Sequence, residues 1–283
     1  MSGTALVIGG GGSTGNAWAL GVLAGIADGG LDVTDADVVV GTSAGSTTAV
    51  QALSGAVGEL YAASLVPIPQ GTGPDRTRAA AEGMARTADI IAASADIEDL
   101  RRRLGEAALA MDQDGSRSTR WREMVARRLP RQDWPDRELR ITAVDARTGE
   151  PVVFTRESGV ELADAVAASC SSGFAYAIGE ERYLDGGYRR NENADLAAGC
   201  ERVLVLSPFG GRSRHPIEWG SDLVTQVEEL RSTGSRVEVI VPGDGAVHLF
   251  GASAMDLTLR PEAALLGRSQ GFELAGGLSD FWR

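Results

Sequence analysis

Two glycine-rich turns, each set between an apolar β-type run and a helix-type pattern, constrain this chain more than any other feature. The first, Gly9-Gly10-Gly11-Gly12-Ser13-Thr14-Gly15, follows Ala5–Ile8 and precedes Asn16–Ala27; the second, Gly41-Thr42-Ser43-Ala44-Gly45, follows Val38–Val40 and precedes Ser46–Leu53. Strand-to-helix turns about thirty residues apart are what successive βα units of a parallel sheet supply, and their loops then lie side by side at its carboxyl edge. Further short apolar runs at Leu139–Val144, Val152–Phe154, Arg182–Leu184, Val203–Leu206 and Val237–Val241 read as strands. Helical patterns at Val160–Ala168 and Glu218–Arg231 lie between them. This alternation predicts an α/β fold, a mainly parallel sheet with helices on both faces.

Between about residues 61 and 135 the strand signal stops. Arg76–Ala93, Asp96–Met111 and Thr119–Leu129 carry helical periodicity instead. We read a helical cap insertion there, with Pro67–Pro74 as its lead-in and Pro130–Pro135 as its exit, inside a single domain spanning 1–283. Thr119–Leu129 puts Trp121, Met124, Val125 and Leu129 on one face, with arginines around it. That pattern suits a surface helix docked on the core, or an interfacial lid with its arginines toward lipid headgroups.

Charge excludes one class of function. The formal net charge is −12, and a nucleic-acid binder needs a basic surface to exchange with condensed counterions. All 27 basic residues are arginine. The N-terminus runs straight from Met1 into the first strand, without a basic leader, and no apolar run approaches membrane-spanning length. Cys170 and Cys200 form no C-x-x-C pair. A cytoplasmic protein is expected, meeting lipid, if at all, by transient contact at the membrane surface.

Gly41-Thr42-Ser43-Ala44-Gly45 is a G-x-S-x-G in the strand-turn-helix setting of a nucleophile elbow, where Ser43 would stand above the sheet at a helix N-terminus. The same five residues can also make a plain tight turn. Gly9–Gly15 exposes backbone N–H groups at another helix start, which suits an anion. A phosphate loop needs a Lys, which this chain lacks, and a dinucleotide site needs an acid ending the second strand, where Ser43 stands. The remaining anion is the oxyanion of acyl transfer. A base is still required. The only histidines are His215, a loop residue, and His248, expected to pack near Leu249 and Phe250, while Tyr183-Leu184-Asp185-Gly186-Gly187 offers an Asp in a glycine turn.

Gly10–Gly15, Gly41–Gly45 and Asp185-Gly186-Gly187, in this order, resemble the patatin-like phospholipase family over about residues 4 to 210. The resemblance implies a patatin-like α/β/α sandwich and a serine acyl hydrolase of lipid esters, with no metal or organic cofactor. It makes Ser43 the nucleophile and Asp185 its base without His, and it gives the oxyanion to Gly10, Gly11, Gly12 and the Ala44 amide, with Gly15, Gly41, Gly45, Gly186 and Gly187 shaping the turns. Ala167-Ala168-Ser169-Cys170 and Asn193-Ala194-Asp195 look like further family positions. Two positions depart from the pattern: Thr14 stands where a basic residue is common, and Ser171-Ser172-Gly173 where a Pro-containing turn is common. Acyltransferase or thioesterase chemistry would use the same dyad. The alternatives are an α/β-hydrolase esterase with a Ser43, Asp185 and His248 triad, and a non-catalytic anion-binding module.

Overall fold

The computed structural model describes residues 3–68, 76–111 and 116–283; residues 69–74 of the predicted lead-in lie outside them. The strands are β1 (Thr4–Ile8), β2 (Val38–Gly41), β3 (Glu138–Asp145), β4 (Pro151–Phe154), β5 (Tyr176–Ile178), β6 (Glu181–Asp185), β7 (Arg202–Leu206) and β8 (Arg236–Ile240). They form one sheet in the order β5-β6-β3-β2-β1-β7-β8, with β4 paired to β3. The ladders from β3 through β2, β1 and β7 to β8 are parallel; those of β4, β5 and β6 are antiparallel. This is the mostly parallel sheet the sequence predicts.

The helices are α1 (Gly12–Asp28), α2 (Ala44–Ala52), α3 (Val57–Ser64), α4 (Arg76–Ala93), α5 (Ile97–Met111), α6 (Ser116–Ala126), α7 (Leu162–Ser169), α8 (Leu223–Ser232) and α9 (Arg260–Trp282). Strand side chains alternate between faces. Leu6, Ile8, Val39, Ile141 and Leu204 therefore enter the core with residues of α1, α2, α7 and α9, while Ala5, Val7, Val38, Val40, Val203 and Val205 meet Leu223, Val227 and Leu230 of α8. On that second face α5 buries Leu100 and Leu104 against Val144 and Leu184. Both faces are covered, as the apolar runs require.

The helices of the 61–135 region pack on these layers. Trp121 of α6 donates its indole N–H to the Ala167 carbonyl of α7 (3.0 Å), and Arg122 holds Asp164 and Glu161. Of the two readings of that helix, the docked one describes it. Among the described residues, no helix is long and apolar enough to cross a membrane.

One register detail positions the site. Ile141 to Val144 of β3 pair with β4 on one edge. On the other edge β2 ends with Gly41 opposite Ile141, and β6, running the opposite way, ends with Asp185 opposite Ala143. Two strands thus meet head to head along β3, with Thr142 between their ends.

The sequence reading assigns no element beyond Val241, yet α9 is the longest helix described. It has no stripe of large apolar residues. Its inner face is Ala263, Ala264, Gly267, Gly271 and Ala275, ending in Leu278 and Trp282, and it packs backbone to backbone on α1. A Cβ on Gly21 would overlap the Ala264 carbonyl, one on Gly25 that of Arg268, and one on Gly271 that of Val22. Gly25→Ala is therefore expected to lower the unfolding free energy by about 1–3 kcal/mol in urea titrations, because the overlapped atom is backbone and has no rotamer to escape into. Gly276→Ala, on the exposed side of α9 with nothing within 4 Å of the added carbon, should raise it by about 0.5–1 kcal/mol through helix propensity.

Candidate active site

Ser43 takes φ 54° and ψ −125°, a left-handed conformation that costs a non-glycine residue on the order of 1–3 kcal/mol. The turn holds it there because the residues two places to either side cannot carry side chains: a Cβ on Gly45 would overlap the Ile8 carbonyl, and one on Gly41 would lie 2.6 Å from Ser46 Cα. The strained peptide is gripped from both sides. Ser43 N–H donates to Ser169 Oγ (2.9 Å), and the Ser43 carbonyl accepts from Ser46 Oγ (2.6 Å) and Cys170 Sγ (3.0 Å). Ser169 and Cys170 thus act on the elbow from the end of α7.

Ser43 Oγ donates to Asp185 Oδ2 at 2.8 Å, a direct serine-carboxylate pair made where β2 and β6 meet. The other carboxylate oxygen accepts the Gly187 N–H (2.9 Å). Asp185 is 7% exposed. Burial raises its pKa to about 6, against the two hydrogen bonds that favour the carboxylate, and no guanidinium enters the balance.

Asn193, fully buried and in the left-handed region (φ 53°), ties the strand ends together. Its amide donates to the Arg190 carbonyl (2.6 Å) and lies 3.0 Å from Thr42 Oγ1 and 3.2 Å from the Gly186 carbonyl. Thr142 Oγ1 donates to Thr42 Oγ1 (3.0 Å). Asp195 of the same motif pairs with Arg189 and Arg190 and braces the turn from outside.

The glycine loop lies against the elbow: a Cβ on Gly10 would be 3.4 Å from that of Ser43. The four expected donors are not equivalent. Gly10 N–H already donates to the Asn191 carbonyl (3.0 Å), so of the four only the Gly11, Gly12 and Ala44 amides make no backbone hydrogen bond to a described residue. Gly11 and Ser43 are the N-caps of α1 and α2, and neither helix has a side-chain cap. The same holds for α3, α7 and α9, while Asp222 caps α8. Two helix starts close to Ser43 leave N–H groups and positive dipole ends in one region. The sequence reading missed Asn191 as the brace of this loop; nothing but its place in a polar run after the glycine turn marks it.

Other expected residues fall elsewhere. His248 is half-exposed and pairs with Glu262 (2.9 Å); it does not pack as a core residue and does not stand between Ser43 and Asp185, so the triad alternative fails on geometry. His215 bonds Ser221 through Nδ1 (2.9 Å), and burial pulls its pKa down to about 4. Cys170, its thiol pushed up to about 12 by burial, donates to the Ser43 carbonyl. Thr14 is buried, donating its hydroxyl to the Leu249 carbonyl (2.7 Å) and its N–H to Ala254 (3.1 Å). In the Ser171-Ser172-Gly173 turn, the Ser171 carbonyl accepts Asp185 N–H (3.3 Å).

The patatin-like phospholipase family model matches residues 6–198. Among solved structures, the chain is similar to VipD from Legionella pneumophila, at 12% identity, with 98% of this chain and 67% of that one covered and a TM-score of 0.44. No curated protein sequence matches.

The raised pKa of Asp185 has two measurable consequences. If its carboxylate is the base, kcat/KM on a soluble ester should fall tenfold per pH unit below about pH 6, and Asp185→Asn should lower it by about 10²–10⁴-fold. The same burial costs stability. A carboxyl with a folded pKa above its unfolded one stabilises below the unfolded value, near 3.8, and loses that contribution as pH rises through about 6. Asp185→Asn should therefore be the more stable protein at pH 8, by on the order of 1–3 kcal/mol, with the difference vanishing below about pH 4 in urea titrations.

Proposed function

The chain belongs to the patatin-like phospholipase family, a family of lipid acyl hydrolases, and on that footing we propose that it cleaves carboxylic esters of lipids through a covalent acyl-Ser43 intermediate. The observation that carries this reading is the 2.8 Å hydrogen bond from Ser43 Oγ to the buried Asp185 carboxylate. Asp185 takes the hydroxyl proton as Ser43 Oγ attacks the ester carbonyl, and the carbonyl oxygen becomes an oxyanion received by the N–H groups of Gly11, Gly12 and Ala44. Each such donor is worth about a hundredfold or more in rate. As the tetrahedral centre collapses, protonated Asp185 returns the proton to the leaving alkoxide. Water then enters, loses a proton to Asp185 and attacks the acyl-serine; the second collapse re-protonates Ser43 and releases the fatty acid.

A pKa near 6 suits both halves of this cycle. A carboxylate at 3.8 would be a weak base, and one well above 7 would be protonated before substrate arrived. The dyad needs no histidine because the shared β3 edge delivers the carboxylate directly.

An organophosphonate probe should add its mass to Ser43 in the wild type and to no residue of Ser43→Ala. Hydrolysis of a nitrophenyl ester and of a lysophospholipid should be lost in Ser43→Ala and Asp185→Asn and retained in His248→Ala, all confirmed folded by circular dichroism. Activity surviving in Ser43→Ala would overturn the proposal.

A further inference from the structure

One buried acid has no part in the dyad. Glu192, in the run Arg190-Asn191-Glu192-Asn193 that follows the Asp185 turn, is 1% exposed. Its carboxylate is met by neutral side chains, Asn191, Ser207 and Gln226, which favour the charged form while burial pushes the pKa up. An alkyl side chain would fill the same space without that desolvation cost, so the acceptor oxygens are what Glu192 adds.

Glu192 Oε1 accepts from Ser207 Oγ (2.7 Å) and from Asn191 Nδ2 (2.8 Å). Ser207 Oγ itself accepts the Gly211 N–H (2.8 Å), so its single proton is committed to Glu192. Ser207 follows the last residue of β7, Leu206, whose carbonyl accepts the Gly9 N–H (2.9 Å). The Glu192 side chain lies on Gly9, where an added Cβ would be 3.1 Å from Glu192 Cγ. The acid therefore sits between the end of β7 and the glycine loop after β1, anchored on the strand side and reaching the loop through Asn191.

Asn191 holds Gly10 by both of its backbone groups. Its carbonyl accepts the Gly10 N–H (3.0 Å), and its Nδ2 donates to the Gly10 carbonyl (3.2 Å). The Gly10 carbonyl and the Gly11 N–H belong to one planar trans peptide and point in opposite directions, so fixing the carbonyl fixes the amide. Two glycines in succession have no side chains to resist a flip of that plane. Asn191 resists it only while its NH₂ group faces Gly10; turned over, it would set oxygen against oxygen. Glu192 Oε1 opposes the overturned amide, because Asn191 Oδ1 would then meet a carboxylate.

We propose that Glu192 is a positioning residue: by fixing the Asn191 amide it locks the Gly10–Gly11 peptide, and with it the direction of the Gly11 N–H offered to the oxyanion. The catalytic consequence rests on the reading of Ser43 as an esterase; the locking of the peptide does not.

Glu192→Met keeps the length of the side chain and removes both acceptors, whereas Glu192→Gln keeps Oε1 as one. On a short-chain nitrophenyl ester, Glu192→Met should lose about 10–100-fold in kcat with KM within about twofold of wild type, because the oxyanion is bound only in the transition state. Glu192→Gln should stay within about threefold of wild type, since the Asn191 amide keeps its acceptor. In NMR relaxation measurements the Gly11 amide should be rigid in wild type and Glu192→Gln, and should show microsecond-to-millisecond exchange in Glu192→Met. If Glu192→Met does not fold, Ser207→Ala, which leaves the carboxylate one donor short, should show the same two changes at smaller size. An unchanged kcat, a loss expressed in KM, a Glu192→Gln as impaired as Glu192→Met, or a Gly11 amide equally rigid in every variant would overturn the proposal. A Gly11 amide that loosens in Glu192→Met, beside a wild type that cleaves no ester, would keep the lock and sink the esterase reading alone.

Discussion

The hydrogen bond between Ser43 and Asp185 exists because β2 and β6 approach each other along one edge of β3. Almost everything else near the site maintains that meeting. A left-handed serine two residues past one strand end and a buried carboxylate at the end of another are both unfavourable in isolation. Each relies on groups from the other's surroundings. Ser169 and Cys170 hold the elbow from α7, while Asn193 and the Thr42–Thr142 contact close the gap between the strand ends. The antiparallel turn of β6 is what a wholly parallel sheet could not provide, since a parallel neighbour would carry its carboxyl end alongside Ser43 and not toward it.

What the sequence made legible follows from how local each feature is. The elbow is five residues whose glycines mark where backbone must pass close to backbone, and Gly41 and Gly45 do so against Ser46 and Ile8. The strands of the parallel sheet, buried on both faces, read as continuous apolar runs. Asp185, in a common turn dipeptide, carried weight only through the order of three motifs, and its contact with Ser43 spans 142 positions. α9 escaped because periodicity arguments look for large apolar residues, and its buried stripe is glycine and alanine. The three residues β5 (Tyr176–Ile178) are too short to show a period at all. Gly10 was grouped with the donors because a glycine's identity says that its backbone is exposed to approach, not which carbonyl its N–H will find; Asn191 decides that.

The site also divides its electrostatics by side. A carboxylate that must accept a proton near neutral pH has to be kept from cations, because one guanidinium within reach would lower its pKa by a unit or more. An oxyanion has the opposite need. For the proposed reaction both needs are met, with the starts of α1 and α2 near Ser43, Arg260 behind Ser13, and Asp185 buried with two neutral donors. Arg189 and Arg190, close to Asp185 in sequence, are drawn outward into pairs with Asp195 and Glu229. Asp195 after the turn and Glu229 of α8 thus engage the guanidinium charge that lies nearest to Asp185 in sequence, which the proposed base requires.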